Sequence, residues 1–195
     1  MGQGLVVVLS SPSGGGKTTV AHRLLRSDKD LVRSVSCTTR KPRPGEKNGR
    51  DYFFVTRERF RKMISKREFL EWARVHQNLY GTPKAWVESQ LKRGRDVLFV
   101  IDVQGGNILR RKVPGAVLIF LRPPSMKVLR QRLVGRGTNE PQDLRVRLAD
   151  ARWEIREGRF YGHQIVNDRL PKTVQEVRQV LRKARKASSG ARAKS

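Results

Sequence analysis

The chain has 195 residues, of which 37% are hydrophobic and 31% are charged, and this is enough for one globular domain with a substantial core. No apolar run approaches the roughly 20 residues of a membrane-spanning helix, so we expect no membrane partner. The net charge of +26 favours contact with polyanions, while the single cysteine, Cys37, excludes an internal disulfide and favours a reducing, cytoplasmic location.

The predicted strands are short and rich in apolar residues, as is typical of a buried sheet. They lie at 5–9, 51–55, 68–75, 96–102, 116–121 and 164–168. The first follows no basic segment and leads into a glycine-rich loop, so we interpret it as a strand rather than a signal peptide.

Predicted helices alternate with these strands. They span about 17–26, a short stretch after Thr56, the segment between Thr82 and Gly94, a stretch after 123–125, about 142–158, and a final segment that begins at Pro171. Thr82 is the expected N-cap of its helix, with Pro83 in the first turn. The alternation predicts an α/β fold with a parallel sheet flanked by helices, and the β-rich segment at about 36–80 predicts an insertion at one edge.

Basic residues are spread along the whole chain, which favours a solvated surface over a dedicated nucleic-acid interface. No RNP-type aromatic signature or other recognition motif occurs, so we predict no specific nucleic-acid partner. Protein partners stay unknown from the sequence. The stretch 182–195 contains six basic residues and no acidic one. Its serine, glycine and alanine content predicts a basic disordered tail at 184–195, with weak, salt-sensitive binding of polyanions.

The stretch "LSSPSGGGKTTV" at 9–20 nearly matches the phosphate-binding loop pattern G-x-x-x-x-G-K-[ST]. Gly16, Lys17 and Thr18 stand at their expected places, but Ser11 replaces the first glycine. Successive glycines let backbone N–H groups converge on an anion, Lys17 can reach the β- and γ-phosphates, and the Thr18 hydroxyl can ligate Mg²⁺. We expect the loop to function if residue 11 needs no positive φ. The predicted ATP-binding residues of the loop are Ser11, Pro12, Ser13, Gly14, Gly15, Gly16, Lys17, Thr18 and Thr19.

Two further stretches predict the phosphate acceptor. "SVSCTTRKPRPGEKNGRDYFF" carries Arg40, Arg43 and Tyr52, which suit a monophosphate dianion, although a solvated basic loop remains an equal alternative. "FLEWARVHQNLYGTP" adds Glu71 and Thr82. A carboxylate accepts both N1–H and the exocyclic amino group of guanine, whereas adenine offers no such pair of donors. The pattern therefore favours a guanine nucleotide.

These motifs, together with "IDVQG", "RLVGRGT" and "IVND", closely resemble the guanylate kinase family from about Gly4 to Lys183. The resemblance implies a P-loop kinase core at 4–35 and 95–183, an inserted β-rich GMP-binding subdomain at about 36–90, and a mobile lid at about 135–147. It implies ATP-dependent phosphorylation of GMP, and of dGMP, in purine nucleotide metabolism, with Mg²⁺ as cofactor.

The resemblance also implies roles for individual residues. Expected GMP-binding residues are Ser36, Arg40, Arg43, Tyr52, Glu71, Tyr80, Thr82 and Asp102. Expected catalytic residues are Lys17, Arg40, Arg136 and Arg147, and Asn167 is expected beside the adenine. Arg132 is either a further lid residue or a surface arginine. Val100 departs from the family, in which an acid is common at this position, and leaves Asp102 as the sole acid of its motif.

Three rival functions stay open at this point. A catalytically silent family member that binds a protein would usually lack Lys17 or the lid arginines, which this chain keeps. A kinase of the same fold for another acceptor, such as a sugar phosphate, would not need Glu71 with Thr82. A nucleic-acid binder is suggested by charge alone.

Overall fold

A computed structural model describes residues 4–75, 77–135 and 141–192 of the chain. The strands are β1 (Val6–Ser10), β2 (Leu31–Arg33), β3 (Cys37–Thr38), β4 (Phe53–Phe54), β5 (Phe69–Val75), β6 (Asn78–Pro83), β7 (Asp96–Val100), β8 (Val117–Arg122) and β9 (His163–Val166). The α-helices are α1 (Lys17–Ser27), α2 (Arg57–Ser65), α3 (Lys84–Lys92), α4 (Val103–Lys112), α5 (Met126–Val134), α6 (Pro141–Glu157) and α7 (Leu170–Arg192). A short 3-10 helix covers Gly158–Phe160.

The central sheet has five parallel strands in the order β2-β7-β1-β8-β9. Every residue of β1 is buried, as is expected for a strand covered on both faces. Helices α1 and α7 cover one face through residues such as Leu24 and Val177, while α3 and α4 cover the other through Val87 and Leu109. The predicted α/β fold with a parallel sheet flanked by helices is thus confirmed.

A second sheet of four strands, in the order β4-β3-β6-β5, lies within the segment predicted as an insertion. Strands β5 and β6 form an antiparallel hairpin, and β3 pairs with β6 on one side and with β4 on the other. Helix α2 packs on this sheet through Phe60, whose ring stacks on Phe69 with centroids 4.5 Å apart. The insertion therefore has a small core of its own.

Several elements differ from those predicted. Strands β2, β3 and β6 and helix α4 were not expected, and Thr82 lies in β6 instead of capping a helix. Pro83 is the residue that precedes α3. Helix α4 contains two glycines, which weaken the sequence pattern of a helix. Gly106 is needed there because a Cβ at this position would overlap the Tyr161 hydroxyl.

The predicted disordered tail at 184–195 is wrong as far as residue 192, because α7 continues to Arg192. Ala184 packs against the core beneath the central sheet. Arg185 donates to Asp96 at 2.7 Å and to Asp28 at 2.8 Å, which ties the helix to the start of β7 and to the end of α1. The predicted tail at 193–195 lies outside the described residues.

No helix in the described ranges is long and apolar enough to cross a membrane.

We predict that Arg185→Met lowers the free energy of unfolding by about 1.5–3 kcal/mol, because it leaves the buried Asp96 carboxylate with one partner fewer. The substitution keeps most of the apolar stem. Urea denaturation would measure the change. Arg182→Met, at an exposed position of the same helix, is the control and should change stability by less than about 0.5 kcal/mol. Equal effects for the two variants would contradict an anchoring role for Arg185.

Candidate active site

The glycine-rich loop joins the carboxyl end of β1 to the first turn of α1. Gly14 and Gly16 adopt φ values of 81° and 89°, in the left-handed region that favours glycine. The N–H of Gly15 donates to the carbonyl of Pro12 at 2.8 Å and closes the turn. The N-cap of α1 is Gly16, which has no side chain to cap the first N–H groups, so the positive end of this helix faces the loop. This is the geometry of an anion site.

Ser11 fits the loop in place of the expected glycine. Among the described non-glycine residues only Arg67 has a positive φ, so the backbone at residue 11 needs no glycine. The buried Ser11 hydroxyl donates to the carbonyl of Pro12 at 3.0 Å. A Cβ on Gly15 would approach the Ser11 side chain to 2.8 Å and the Pro12 carbonyl oxygen to 2.9 Å, so both neighbours require a glycine at residue 15.

Lys17 places its ammonium group at the base of the loop, where it donates to the carbonyl of Ile101 at 2.9 Å. Burial lowers the pKa of Lys17, while the negative charges of Asp102 and Glu154 oppose this effect. The carbonyl belongs to the residue just after β7, the neighbour of β1 in the sheet. The adjacent strands therefore hold the charge at the carboxyl edge of the sheet, where open α/β sheets bind ligands.

A cleft of about 470 Å³ opens above this lysine. It is lined by the loop residues 11–18 together with Val75, Asp102, Gln104, Arg147, Asp150, Trp153 and Glu154. The predicted catalytic residue Arg147 thus lies at the cleft, and its guanidinium pairs with Asp143 at 3.1 Å. Arg136, the other predicted lid arginine, lies outside the described residues.

Glu154 is a residue of this cleft that sequence reasoning missed. One of its carboxylate oxygens accepts the N–H of Ser13 at 3.3 Å, in the loop where an anion would bind. Burial raises the pKa of Glu154 to about 7, against the opposing charge of Lys17. The only sequence signal was its spacing from Arg147 and Asp150, since residues three, four and seven apart share one face of a helix.

Asn167 and Arg132 lie together beside the loop, in a groove of about 360 Å³ that Gly14, Gly16 and Thr19 also line. The Asn167 amide donates to the carbonyl of Gly15 at 2.7 Å. Arg132 donates to the Asn167 carbonyl at 3.0 Å. Between the two alternatives for Arg132, the structure therefore places it at the loop and not on an open surface.

A second cavity, of about 380 Å³, lies between the two sheets. Seven of the eight predicted acceptor residues line it. The eighth, Thr82, donates a hydrogen bond to Glu71, which is one of the seven. Sequence reasoning missed three charged lining residues, namely Arg33, Glu46 and Asp51. Lys17, Thr18, Val75 and Asp102 line both this cavity and the cleft above the loop. The two sites therefore meet at Lys17.

The Arg40 guanidinium is fully engaged at one end of the second cavity. One terminal nitrogen of the guanidinium donates to both carboxylate oxygens of Glu46, at 2.8 and 2.9 Å, and the group lies 5.5 Å from the centre of the Tyr52 ring. Glu46 also accepts the backbone N–H of Arg43 at 2.7 Å, so it shapes the loop between the two arginines. The Tyr52 and Tyr80 rings meet edge to face at 6.0 Å. This end of the second cavity therefore carries guanidinium and phenol groups.

The other end of the cavity carries a buried carboxyl. Glu71 is 3% exposed and accepts the Thr82 hydroxyl at 2.6 Å, and this hydroxyl lies 3.0 Å from that of Ser36. Burial raises the pKa of Glu71 to about 7, an effect that the Thr82 hydrogen bond opposes. A buried hydrogen-bond acceptor is therefore held at a defined place in this cavity.

Asp102 and Val100 stand between the two ends. Asp102 caps α4 by accepting the Gly105 N–H at 2.9 Å, and it also lines both cavities. Asp102 can therefore cap α4 and also face a bound ligand. Val100 presents an apolar side chain to the acceptor cavity and packs against the core.

Glu71 should make the stability of the protein depend on pH. Its folded pKa of about 7 lies above the ordinary value of 4.5, so its contribution falls as pH rises through this interval. We predict that the unfolding free energy of the wild type falls by up to about 3 kcal/mol more than that of Glu71→Gln as pH rises from 5 to 8. Urea denaturation at both pH values measures this. The exposed Glu58→Gln is the control, and parallel pH profiles of wild type and Glu71→Gln would contradict the prediction.

Comparison with known proteins agrees with this geometry. The family model for guanylate kinase matches residues 3–184. The guanylate kinase of Dechloromonas aromatica (strain RCB) is 48% identical over 179 residues, which cover 92% of this chain and 89% of the relative. The guanylate kinase of Wolbachia sp. subsp. Brugia malayi (strain TRS) is 45% identical over 192 residues, covering 96% and 97%.

A solved structure of guanylate kinase from Anaplasma phagocytophilum is also similar, with a TM-score of 0.78 and 38% sequence identity. The match covers 93% of this chain and 86% of that one. The predicted resemblance is confirmed, and the phosphate loop, the second cavity and their junction at Lys17 all lie within the matched span. The chain belongs to the guanylate kinase family.

Proposed function

We propose that this protein transfers the γ-phosphoryl group of ATP to GMP, and to dGMP, and so returns these monophosphates to the pool of purine diphosphates. The observation that carries the proposal is the junction of the two cavities at Lys17. One cavity has the backbone geometry of a triphosphate site, and the other holds cations at one end and an acceptor for base donors at the other. A phosphoryl group can pass between them without crossing bulk water.

The donor would bind with its phosphates on the loop and at the N-terminus of α1. Lys17 would exchange the Ile101 carbonyl for a phosphate oxygen, and Arg147 would exchange Asp143. The Glu154 carboxylate would leave the Ser13 N–H, because it competes with phosphate for the same donor. The groove beside Asn167 is large enough to take part of the nucleoside and lies next to the loop.

The acceptor would bind with its phosphate at the cationic end of the second cavity. Arg40, Arg43, Tyr52 and Tyr80 supply donors there. Its base would lie at the buried end, where Glu71 can accept the N1–H and the amino group of guanine. Ser36, Thr82 and Asp102 add polar atoms around this carboxyl. An adenine would offer the Glu71 carboxylate no adjacent pair of donors, because its N1 is an acceptor, and that penalty supports the assignment to guanine.

Mg²⁺ is the cofactor that we propose for the donor. No group of three or more histidine, cysteine or acidic side chains in the described ranges could hold a metal ion by itself. This fits Mg²⁺, which proteins usually bind through one or two ligands together with substrate phosphates and water. The exposed Thr18 would supply a hydroxyl, and Asp102 lies on the same cavity wall. When bound, the ion would neutralise part of the phosphate charge.

The chemical step needs alignment and charge neutralisation more than proton transfer. The attacking oxygen belongs to the GMP phosphate, which is already anionic, so no strong general base is required. Neither His22 nor His163 lines either cavity. Lys17, Arg40 and Arg147 would screen the repulsion between the two phosphate groups. Arg136 remains a proposed partner in this role by its sequence motif alone.

The first test is ADP formation from ATP and Mg²⁺ with GMP, dGMP, AMP, CMP or UMP supplied separately. We expect strong turnover with GMP and dGMP and weak turnover with the other acceptors. Lys17→Ala should remove turnover, since it removes the cation shared by both cavities. Absence of turnover with every acceptor would show that the protein is a silent member of the family, and a search for a binding partner would follow.

Glu71 tests the choice of acceptor. We predict that Glu71→Gln lowers kcat/KM for GMP by roughly 10²–10³-fold. The amide has one acceptor oxygen, whereas the carboxylate can accept a hydrogen bond from guanine at each of its two oxygens. Steady-state kinetics with GMP as the varied substrate would measure this. The exposed Glu58→Gln on α2 should behave as wild type. Unchanged GMP turnover in Glu71→Gln would exclude guanine recognition by this carboxyl and would favour a different acceptor.

A further inference from the structure

A groove of about 560 Å³ lies on the side of α6 that faces the loop after β8. It is lined by Arg122, Pro123, Pro124, Ser125, Met126, Ala149, Arg152, Ile155 and Arg156. The cleft above the phosphate loop is lined by different residues of α6, namely Arg147, Asp150, Trp153 and Glu154. The two cavities therefore use separate sets of residues on one helix, and the proposed function makes no use of the groove.

The groove gathers three guanidinium groups that have no anionic partner. Within the described part of the chain, Arg122, Arg152 and Arg156 form no side-chain hydrogen bond or ion pair, and no acidic residue lines the groove with them. Arg152 and Arg156 are one turn apart, so like charges face each other on α6.

Ion pairs at the same spacing occur on four helices, at Glu58–Lys62, Lys84–Glu88, Asp143–Arg147 and Lys172–Glu176. Like charges also stand at this spacing at Arg57–Arg61 on α2 and at Arg178–Arg182 on α7, but neither of these pairs lines a cavity described above. Arg147 and its acidic partner belong to α6 itself. A bound anion would supply at Arg152 and Arg156 the counter-charge that the four ion pairs contain.

The floor of the groove is not polar. Pro123 is buried, Met126 and Ile155 are half-buried, and Pro124 and Ala149 add further apolar surface. The cavity is also much larger than a phosphate ion needs and falls within the range of ordinary small-molecule pockets. Guanidinium groups stack on planar rings as well as pairing with phosphate oxygens. Charge, volume and apolar floor together fit a ligand that joins phosphate groups to a planar ring.

We propose that this groove, on the far side of α6 from the substrate cleft, is a second binding site for a nucleoside phosphate. The phosphate groups lie against Arg152 and Arg156, with Arg122 at the opposite wall. The planar base lies over Met126, Ile155 and the two prolines.

The test measures binding to the full-length protein while both substrate sites are filled. A bisubstrate analogue that joins adenosine to guanosine through a polyphosphate chain would occupy those sites, and ADP would then be titrated by calorimetry. We expect one further ADP to bind per chain. Inorganic pyrophosphate, which has the charge without the ring, should bind at least about tenfold more weakly, and adenosine should not bind at millimolar concentration.

Arg152→Gln/Arg156→Gln should weaken this additional ADP binding by roughly 10–100-fold and leave GMP turnover unchanged. Arg122→Gln provides an independent variant on a different element and should weaken binding in the same direction. The matched control, Arg111→Gln/Arg182→Gln, removes the same charge from exposed positions on α4 and α7 and should bind ADP as wild type does.

Three outcomes would overturn the proposal. They are no additional ADP binding to the wild-type protein, equal binding by the Arg152→Gln/Arg156→Gln variant, and pyrophosphate binding as tight as that of ADP. The last result would identify a site for simple polyanions and not for a nucleoside phosphate.

Discussion

The arrangement of the active site depends on one half-buried positive charge. Lys17 lies where β1 and β7 end side by side, and the Ile101 carbonyl holds its ammonium group at 2.9 Å. A cation in this position is costly to bury unless anions or dipoles surround it. The glycine loop, Asp102 and Glu154 supply them on one side, and the acceptor cavity opens on the other. Both substrates can therefore reach the same charge.

Carboxylates pair with several of the groups that we propose to bind phosphate. Arg40 is paired with Glu46, Arg147 with Asp143, and the Ser13 N–H with Glu154. Binding of phosphate groups would therefore exchange partners instead of creating wholly new contacts. The free energy of binding is the difference between the two sets of partners, so a residue such as Glu46 or Glu154 can tune affinity without touching the substrate.

Much of the fold could be predicted because its central strands are buried on both faces. Such strands require continuous apolar runs, as in β1, β7 and β8, and these are visible in any sequence. Strand β3 has two residues and β6 is mostly half-buried, so neither leaves a periodic pattern. Helix α4 was missed because its two glycines are required by packing, as at Gly106 against Tyr161. The end of α7 was misjudged because the ion pairs of Arg185 are long-range contacts.

The sequence by itself determined the phosphate loop and the α/β alternation, since each depends on residues that are close together along the chain. It predicted the acceptor residues through the resemblance of their motifs to one family. Only the tertiary structure decided that Ser11 needs no positive φ and that Arg132 lies at the loop beside Asn167. It also decided that Glu154 reaches Ser13, although 141 positions separate the two residues. This contact arises because α6 packs against α5 and lines the cleft beside the phosphate loop. Local sequence shows only that Glu154 shares a helix face with Arg147 and Asp150, because side-chain distance in a folded chain is set by topology and not by spacing.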